Sequence, residues 1–280
     1  MKKYFLILFA LIVCSMSVYA AVDGDVDGDG YVTTTDVTAL YNYLLSGDTE
    51  TLINGDVDGD GYITIGDVTW VYNIILGIMN ENHEYVDLGL TSGTLWATMN
   101  VGASSPEDYG NYFAWGETEQ KEYYGWNTYQ WCNGNWNTLT KYCCSSNYDY
   151  NGFVDNLSEL DPENDAAAAN WGSQWRMPSD EQLEELLSQC SWQWTTSNGV
   201  KGYKVTSKHN GATLFLPASG YYFCGELYSI GNIAYYWSRT LYTSRCYYAY
   251  YFWFHSSGTK NLDTGDRNTG FTVRAVRVSQ

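Results

Sequence analysis

Apolar positions change their rhythm several times along the chain. Residues 4–13 form an unbroken apolar run behind Lys2 and Lys3, and Val18-Tyr19-Ala20 supplies a small-residue cleavage site. That order predicts an export signal over 1–20. Val37, Leu40, Tyr41 and Leu44, then Val68, Val71, Tyr72 and Ile75, recur at i, i+3, i+4, i+7 and predict two helices that bury their stripes against each other. From Tyr85 onward the pattern shortens into apolar stretches bounded by Gly, Asn and Ser. It predicts strands over 95–101, 201–207, 213–217, 234–240, 247–254 and 271–278. The 247–254 stretch is aromatic on both faces, which predicts a core strand covered on both sides. One helix stands out there: Pro178 precedes it, Ser179 and Gln182 form a capping box, and Leu183, Leu186, Leu187 and Cys190 make its stripe.

The segment before each of the first two helices is duplicated. Asp25-Val-Asp-Gly-Asp-Gly-Tyr-Val-Thr-Thr-Thr-Asp36 returns 31 residues later as Asp56-Val-Asp-Gly-Asp-Gly-Tyr-Ile-Thr-Ile-Gly-Asp67, and 25–45 against 56–76 share 14 of 21 residues. A hard cation wants six to eight oxygens at about 2.3–2.6 Å. Asp25, Asp27 and Asp29 supply carboxylates at loop positions 1, 3 and 5, as do Asp56, Asp58 and Asp60 in the second copy. Gly30 and Gly61 allow the sharp turn. Tyr31 and Tyr62 offer backbone carbonyls, Thr33 and Thr64 a ligand water, and Asp36 and Asp67 close the loops where Glu is usual. The expectation is one Ca2+ ion per repeat. No helical pattern precedes either loop, so each unit is a loop plus one helix. A segment this small and acidic is expected to fold only with calcium bound.

This duplicated loop-helix arrangement resembles a dockerin. The resemblance implies docking to a cohesin-type protein, commonly to place a polysaccharide-degrading enzyme or binding module in an assembly. It also implies where the partner binds: Thr34, Thr35, Tyr41 and Asn42 in the first copy, and Ile65, Gly66, Tyr72 and Asn73 in the second. Residues 21–82 hold no Lys or Arg against 12 Asp and Glu, and only the first copy has the hydroxyl pair.

Composition narrows the partners. With 14 Lys and Arg against 32 Asp and Glu, the net charge of −18 argues against nucleic acid. No segment after the export signal reaches the roughly 18 apolar residues of a membrane span. Cys14 follows Val13 rather than a small residue, so soluble export to the medium or cell surface is expected over lipid anchoring. Cys132, Cys143, Cys144, Cys190, Cys224 and Cys246 follow the signal, and their spacing selects no disulfide pairing. Scattered His83, His209 and His255 give no zinc pattern.

Beyond Asn80-Glu-Asn-His83, a short junction, Tyr, Trp, Gly and Asn dominate. Tyr85-Val-Asp-Leu-Gly-Leu-Thr-Ser-Gly, Trp96-Ala-Thr-Met-Asn-Val-Gly-Ala103, Tyr112-Phe-Ala-Trp-Gly-Glu-Thr118, Asp161-Pro-Glu-Asn-Asp-Ala-Ala167, Trp175-Arg-Met-Pro178, Leu214-Phe-Leu-Pro-Ala-Ser-Gly220, Tyr235-Tyr-Trp-Ser238 and Val273-Arg-Ala-Val276 follow one another. In that order they resemble the Fibrobacter succinogenes major paralogous domain, found in exported proteins of gut and rumen bacteria. The resemblance implies a C-type-lectin-like fold and carries over no catalytic residue. The expected architecture is a small all-α calcium-binding module over 21–80, then an α+β C-type-lectin-like module over 84–280 with many short strands and one main helix.

The functional expectation is a calcium-dependent docking protein that presents a glycan-binding or adhesion module. The alternatives are a carbohydrate-active enzyme (an O-glycosyl hydrolase) and a purely structural surface protein. Flat aromatic faces stack on sugar rings, which nominates Tyr221, Tyr222, Tyr242 and Trp253, with Tyr247, Tyr248 and Tyr250 beside them. Glu117 and Glu119 could act as paired carboxylates, but Gly116 and polar neighbours predict a solvated turn. Asp161, Glu163, Asn164 and Asp165 could ligate calcium, or could be an ordinary acidic loop ahead of a helix. A copper-thiol site would need neighbouring thiols, and Cys224 and Cys246 match no motif.

Overall fold

The computed structural model describes residues 24–47, 52–57, 62–76 and 83–277. The export signal, Asp58, Asp60 and Gly61 lie outside the described residues.

Helices α1 (Thr34–Ser46) and α2 (Ile65–Ile75) follow the two acidic loops. Each starts at a reciprocal capping box, Thr33 with Asp36 and Thr64 with Asp67, which satisfies amide donors that the first turn leaves orphaned. Gly47, at φ +71°, ends α1 with its N–H on the Tyr43 carbonyl. Val37, Ala39 and Leu40 meet Val68 and Val71 around fully buried Val26. The helical stripes are only half used: Tyr41, Leu44 and Tyr72 are exposed. On α1 the outer part of the stripe, Tyr41 and Leu44, faces water, whereas on α2 Ile75 still packs against the small core.

The remainder is rich in strands. Strands β1 (Tyr85–Asp87), β2 (Leu95–Ala97) and β3 (Trp175–Arg176) form a four-stranded sheet with β12 (Val276–Arg277), in the order β1-β2-β12-β3. Helix α3 (Ala166–Trp171) precedes β3, and α4 (Asp180–Gln189) follows it. A meander then builds β4 (Cys190–Ser197), β5 (Val200–Ser207) and β6 (Thr213–Pro217), and the hairpin β7 (Tyr221–Phe223) and β8 (Glu226–Tyr228) follows. Strands β9 (Ile233–Leu241), β10 (Tyr248–His255) and β11 (Lys260–Asp266) form an antiparallel sheet with β10 central.

That last sheet divides the interior. On one face, Ala234, Tyr236, Phe252 and Phe254 pack with Leu183 and Leu186 of α4 and with Tyr203, Val205, Leu214 and Leu216. On the other, Trp237, Leu241 and Ala249, with Tyr235 and Tyr251, meet Trp115, Phe271 and Val273. β10 is therefore covered on both faces, the physical reason for its aromatic run. α4 begins where expected, with Ser179 and Gln182 capping reciprocally. The expected strands over 95–101 and 271–278 shrink to Leu95–Ala97 and Val276–Arg277. Val101 still donates to the Val273 carbonyl and Phe113 bridges Phe271. Gly102, at φ +79°, turns the chain away before the ladder lengthens.

Candidate functional site

In the first acidic loop, one carboxylate oxygen each of Asp25, Asp27 and Asp29 lie within 4.8 Å of one another. Backbone donors hold them there. Gly28 and Gly30 N–H bond the two oxygens of Asp25 at 2.7 and 2.9 Å, Asp29 N–H bonds Asp27, and Tyr31 N–H bonds Asp29 at 2.8 Å. Gly28 and Gly30 carry φ of +76° and +91°, and this backbone conformation lets the loop curl around its own carboxylates. Three like charges this close repel unless a cation joins them. An all-oxygen donor set suits calcium rather than a soft metal.

Asp36 stands outside this triad. It is wholly buried, and its oxygens accept the N–H groups of Val26 at 2.7 Å, Asp27 at 3.1 Å and Thr33 at 2.7 Å. Asp67 repeats the arrangement with Val57 and Thr64, each at 2.7 Å. These residues tie loop to helix. Thr33 and Thr64 spend their hydroxyls on the N-caps of α1 and α2, accepting from Thr35 and Gly66 N–H. Asp56, Tyr62, Thr64 and Asp67 are described, but residues 58–61 of the second loop are not.

The expected partner faces differ in exposure. Thr34, Thr35, Tyr41 and Asn42 are all exposed on α1. On α2, Ile65 and Tyr72 are exposed, whereas Gly66 and Asn73 are half-buried. The 31-residue repeat pairs Thr35 with Gly66 and Asn42 with Asn73, so the two copies are not equivalent surfaces.

The aromatic candidates of the C-terminal region do not converge. Tyr221 stacks on Tyr228 at 5.3 Å and meets Tyr235 edge-on, while Tyr222 packs the other way, against Tyr112 and Tyr124. Tyr242 lies edge-on to Tyr250 at 5.6 Å, and Trp253 runs parallel to Tyr235 at 6.4 Å. A different group does assemble. Trp136, 41% exposed, lies 5.0 Å from Tyr247 and 6.0 Å from Tyr148, and Tyr148 lies 5.1 Å from Tyr247. Trp136 and Tyr148 carry no local signal. Only the fold brings them to Tyr247.

Other constellations dissolve into structural roles. Glu117 is not on a solvated turn: it is buried, pairs with Lys121 at 2.6 Å and accepts Gln130 N–H at 2.7 Å, whereas Glu119 is exposed. In the acidic loop ahead of α3, Lys141 reaches Asp161 at 3.2 Å and Glu163 at 2.9 Å. Buried Asp165 caps α3, accepts Met177 N–H and pairs with Arg176 at 2.9 Å. Lys141 supplies the positive charge that these carboxylates face. Cys246 is bonded to Cys144 and is not a thiol that could pair with Cys224. Two buried arginines gave no sequence signal of their role. Arg267 lies over the rings of Trp115, Tyr129 and Tyr142 and donates to the carbonyls of Lys141, Tyr142 and Cys246. Arg274 donates to Asn100 and to the carbonyls of Ala97 and Phe215, and burial lowers its pKa to about 10.

Residues 23–76 match the family model of the dockerin type I domain. Domains of that family bind calcium through EF-hand-like loops and dock to cohesins in cellulosome-like assemblies, typically outside the cell or at its surface. No curated protein and no solved structure matches the chain. Among the described residues no helix is long and apolar enough to cross a membrane.

Proposed function

We propose that this is an exported docking protein. Its duplicated segment takes one calcium ion in each loop and plugs into a cohesin-type partner, and residues 84–280 are the cargo, a glycan-binding module. The observation that carries the docking half is the convergence of Asp25, Asp27 and Asp29 within 4.8 Å, directly ahead of a helix with an exposed face. Calcium bound there neutralises the carboxylates and fixes the loop, which sets the start of α1 and the position of Thr34 and Thr35.

For the cargo, the best support is the Trp136, Tyr148 and Tyr247 cluster, which leaves an indole in water beside two phenols whose edges can hydrogen-bond a sugar. Cys144, bonded to Cys246, anchors the base of this surface next to Tyr247. The C-type-lectin-like fold belongs to this reading and rests on the ordered motifs of 85–278.

The test is a capture experiment. The full chain is immobilised and exposed to the surface fraction of the producing bacterium, with calcium and again with chelator. Calcium-dependent retention of a cohesin-bearing protein, identified by mass spectrometry, is the expected result. Calcium binding without any such partner would remove the docking reading. For the cargo, retardation in gels containing soluble plant polysaccharides should be lost in Trp136→Ala; equal retardation of both proteins would move the glycan site elsewhere.

A further inference from the structure

The two repeats diverge at one position with a structural consequence. Ala39 in α1 corresponds to Trp70 in α2, 31 residues on. Ala39 is buried in the small helical core, whereas the Trp70 indole leaves that core and lies on Gly172, the residue that ends α3. A Cβ placed on Gly172 would stand 1.8 Å from Cη2 of Trp70 and 2.4 Å from Cζ2, so the ring occupies the space that any other residue would fill. The receiving end of α3 adjoins an aromatic cluster. Trp171, 6% exposed, meets Trp175 edge-on at 5.3 Å, and His83 stacks on Trp171 at 3.7 Å with an angle of 18° between the rings. Burial of His83 lowers its pKa to about 4, so the stacked imidazole is neutral at pH 7. On α2, the half-buried Gly66 and Asn73 lie one turn to either side of Trp70, on the same helix face.

We propose that α2 is the surface by which the calcium segment docks onto its own C-terminal region, with Trp70 seated against Gly172, so that α1 presents the fuller face to an external partner. The partner half of this inference rests on the docking reading above; the intramolecular half does not. Two consequences follow. Calcium, by ordering α2, slows opening of the α3 end, because a ligand that binds one element of a coupled unit stabilises the whole unit. Thr34, Thr35, Tyr41 and Asn42, all exposed on α1, carry most of the partner recognition.

Hydrogen exchange followed by mass spectrometry on the full chain tests the coupling. The reporters are the Gly172 and Trp175 amides, bonded to the Ala168 and Gly172 carbonyls. Chelator on the wild type, and Trp70→Ala in calcium, should each speed exchange in the peptide spanning 166–176 at least tenfold. Coupling is reciprocal, so losing the dock in Trp70→Ala is expected to speed α2 exchange as well, while calcium keeps the helix formed. Exchange in 166–176 that stays within twofold under both perturbations would overturn the proposal. Tyr41→Ala should weaken capture of the cohesin-bearing partner more than Tyr72→Ala does; equal losses would overturn the assignment of the fuller face to α1. Coupled exchange without any partner would sink the docking reading alone, and a captured partner with flat exchange would sink this one alone.

Discussion

Opening the Cys144–Cys246 bridge is expected to cost the C-terminal region a large part of its stability. The bridge closes a loop across a sequence separation of 102 residues. In the chain-entropy account, closing a loop of that length removes roughly 16 cal/mol/K from the unfolded ensemble, or about 4.7 kcal/mol at 25 °C. Native contacts add to this loss, because Cys144 N–H donates to Cys246 Sγ at 3.0 Å and Cys246 is fully buried. For a unit of this size, 1 kcal/mol moves the thermal midpoint by about 2–4 °C, so Cys144→Ala with Cys246→Ala should melt about 10–20 °C lower. Near-UV circular dichroism reads the C-terminal region selectively, since most of the Trp and Tyr lie there. Non-reducing peptide mapping of the wild type supplies the second readout: one linked pair joining Cys144 to Cys246, with Cys132, Cys143, Cys190 and Cys224 as thiols. A midpoint shift under about 3 °C, which the entropy estimate cannot accommodate, or a link from Cys143, would refute the reasoning.

Further outcomes are open to direct measurement. Asp27→Ala removes one of the three converging carboxylates and should weaken calcium binding by the first loop at least tenfold in isothermal titration, with far-UV helix signal shifting toward that of the chelated protein. Arg267→Ala should destabilise by about 3–5 kcal/mol in urea, since two buried carbonyls and one half-buried carbonyl lose their donor at a penalty of about 1–3 kcal/mol each, not fully additive. His83 has a folded pKa near 4 against 6.5 unfolded, so the neutral form is favoured by folding. Its contribution is complete above pH 6.5 and is lost as pH falls toward 4. His83→Phe keeps the stack on Trp171 and should show a shallower fall of thermal midpoint over that window.

Local patterns were legible in the sequence because their physics spans only a few residues. The duplicated loop, with Asp at alternate positions and Gly at the turn, is a statement about neighbouring backbone, and Asp25, Asp27 and Asp29 do converge. Caps work at i to i+3, so Ser179 with Gln182 marked the start of α4, and β10 declared its two-sided burial by a run that is aromatic at every position from 247 to 254 but Ala249. What the sequence left open depends on which distant groups fold together. Cys144 rather than Cys143 pairs with Cys246, Lys141 occupies the acidic loop ahead of α3, and Glu117 is buried on Lys121 rather than solvated beside Glu119. Trp136 and Tyr148 join Tyr247 from 111 and 99 residues away, and Trp70, at the position where its repeat carries Ala39, finds Gly172. Periodicity can say that a residue faces inward or outward. Only packing, where shape and hydrogen-bond partners from remote segments must all be met at once, chooses the neighbour it faces.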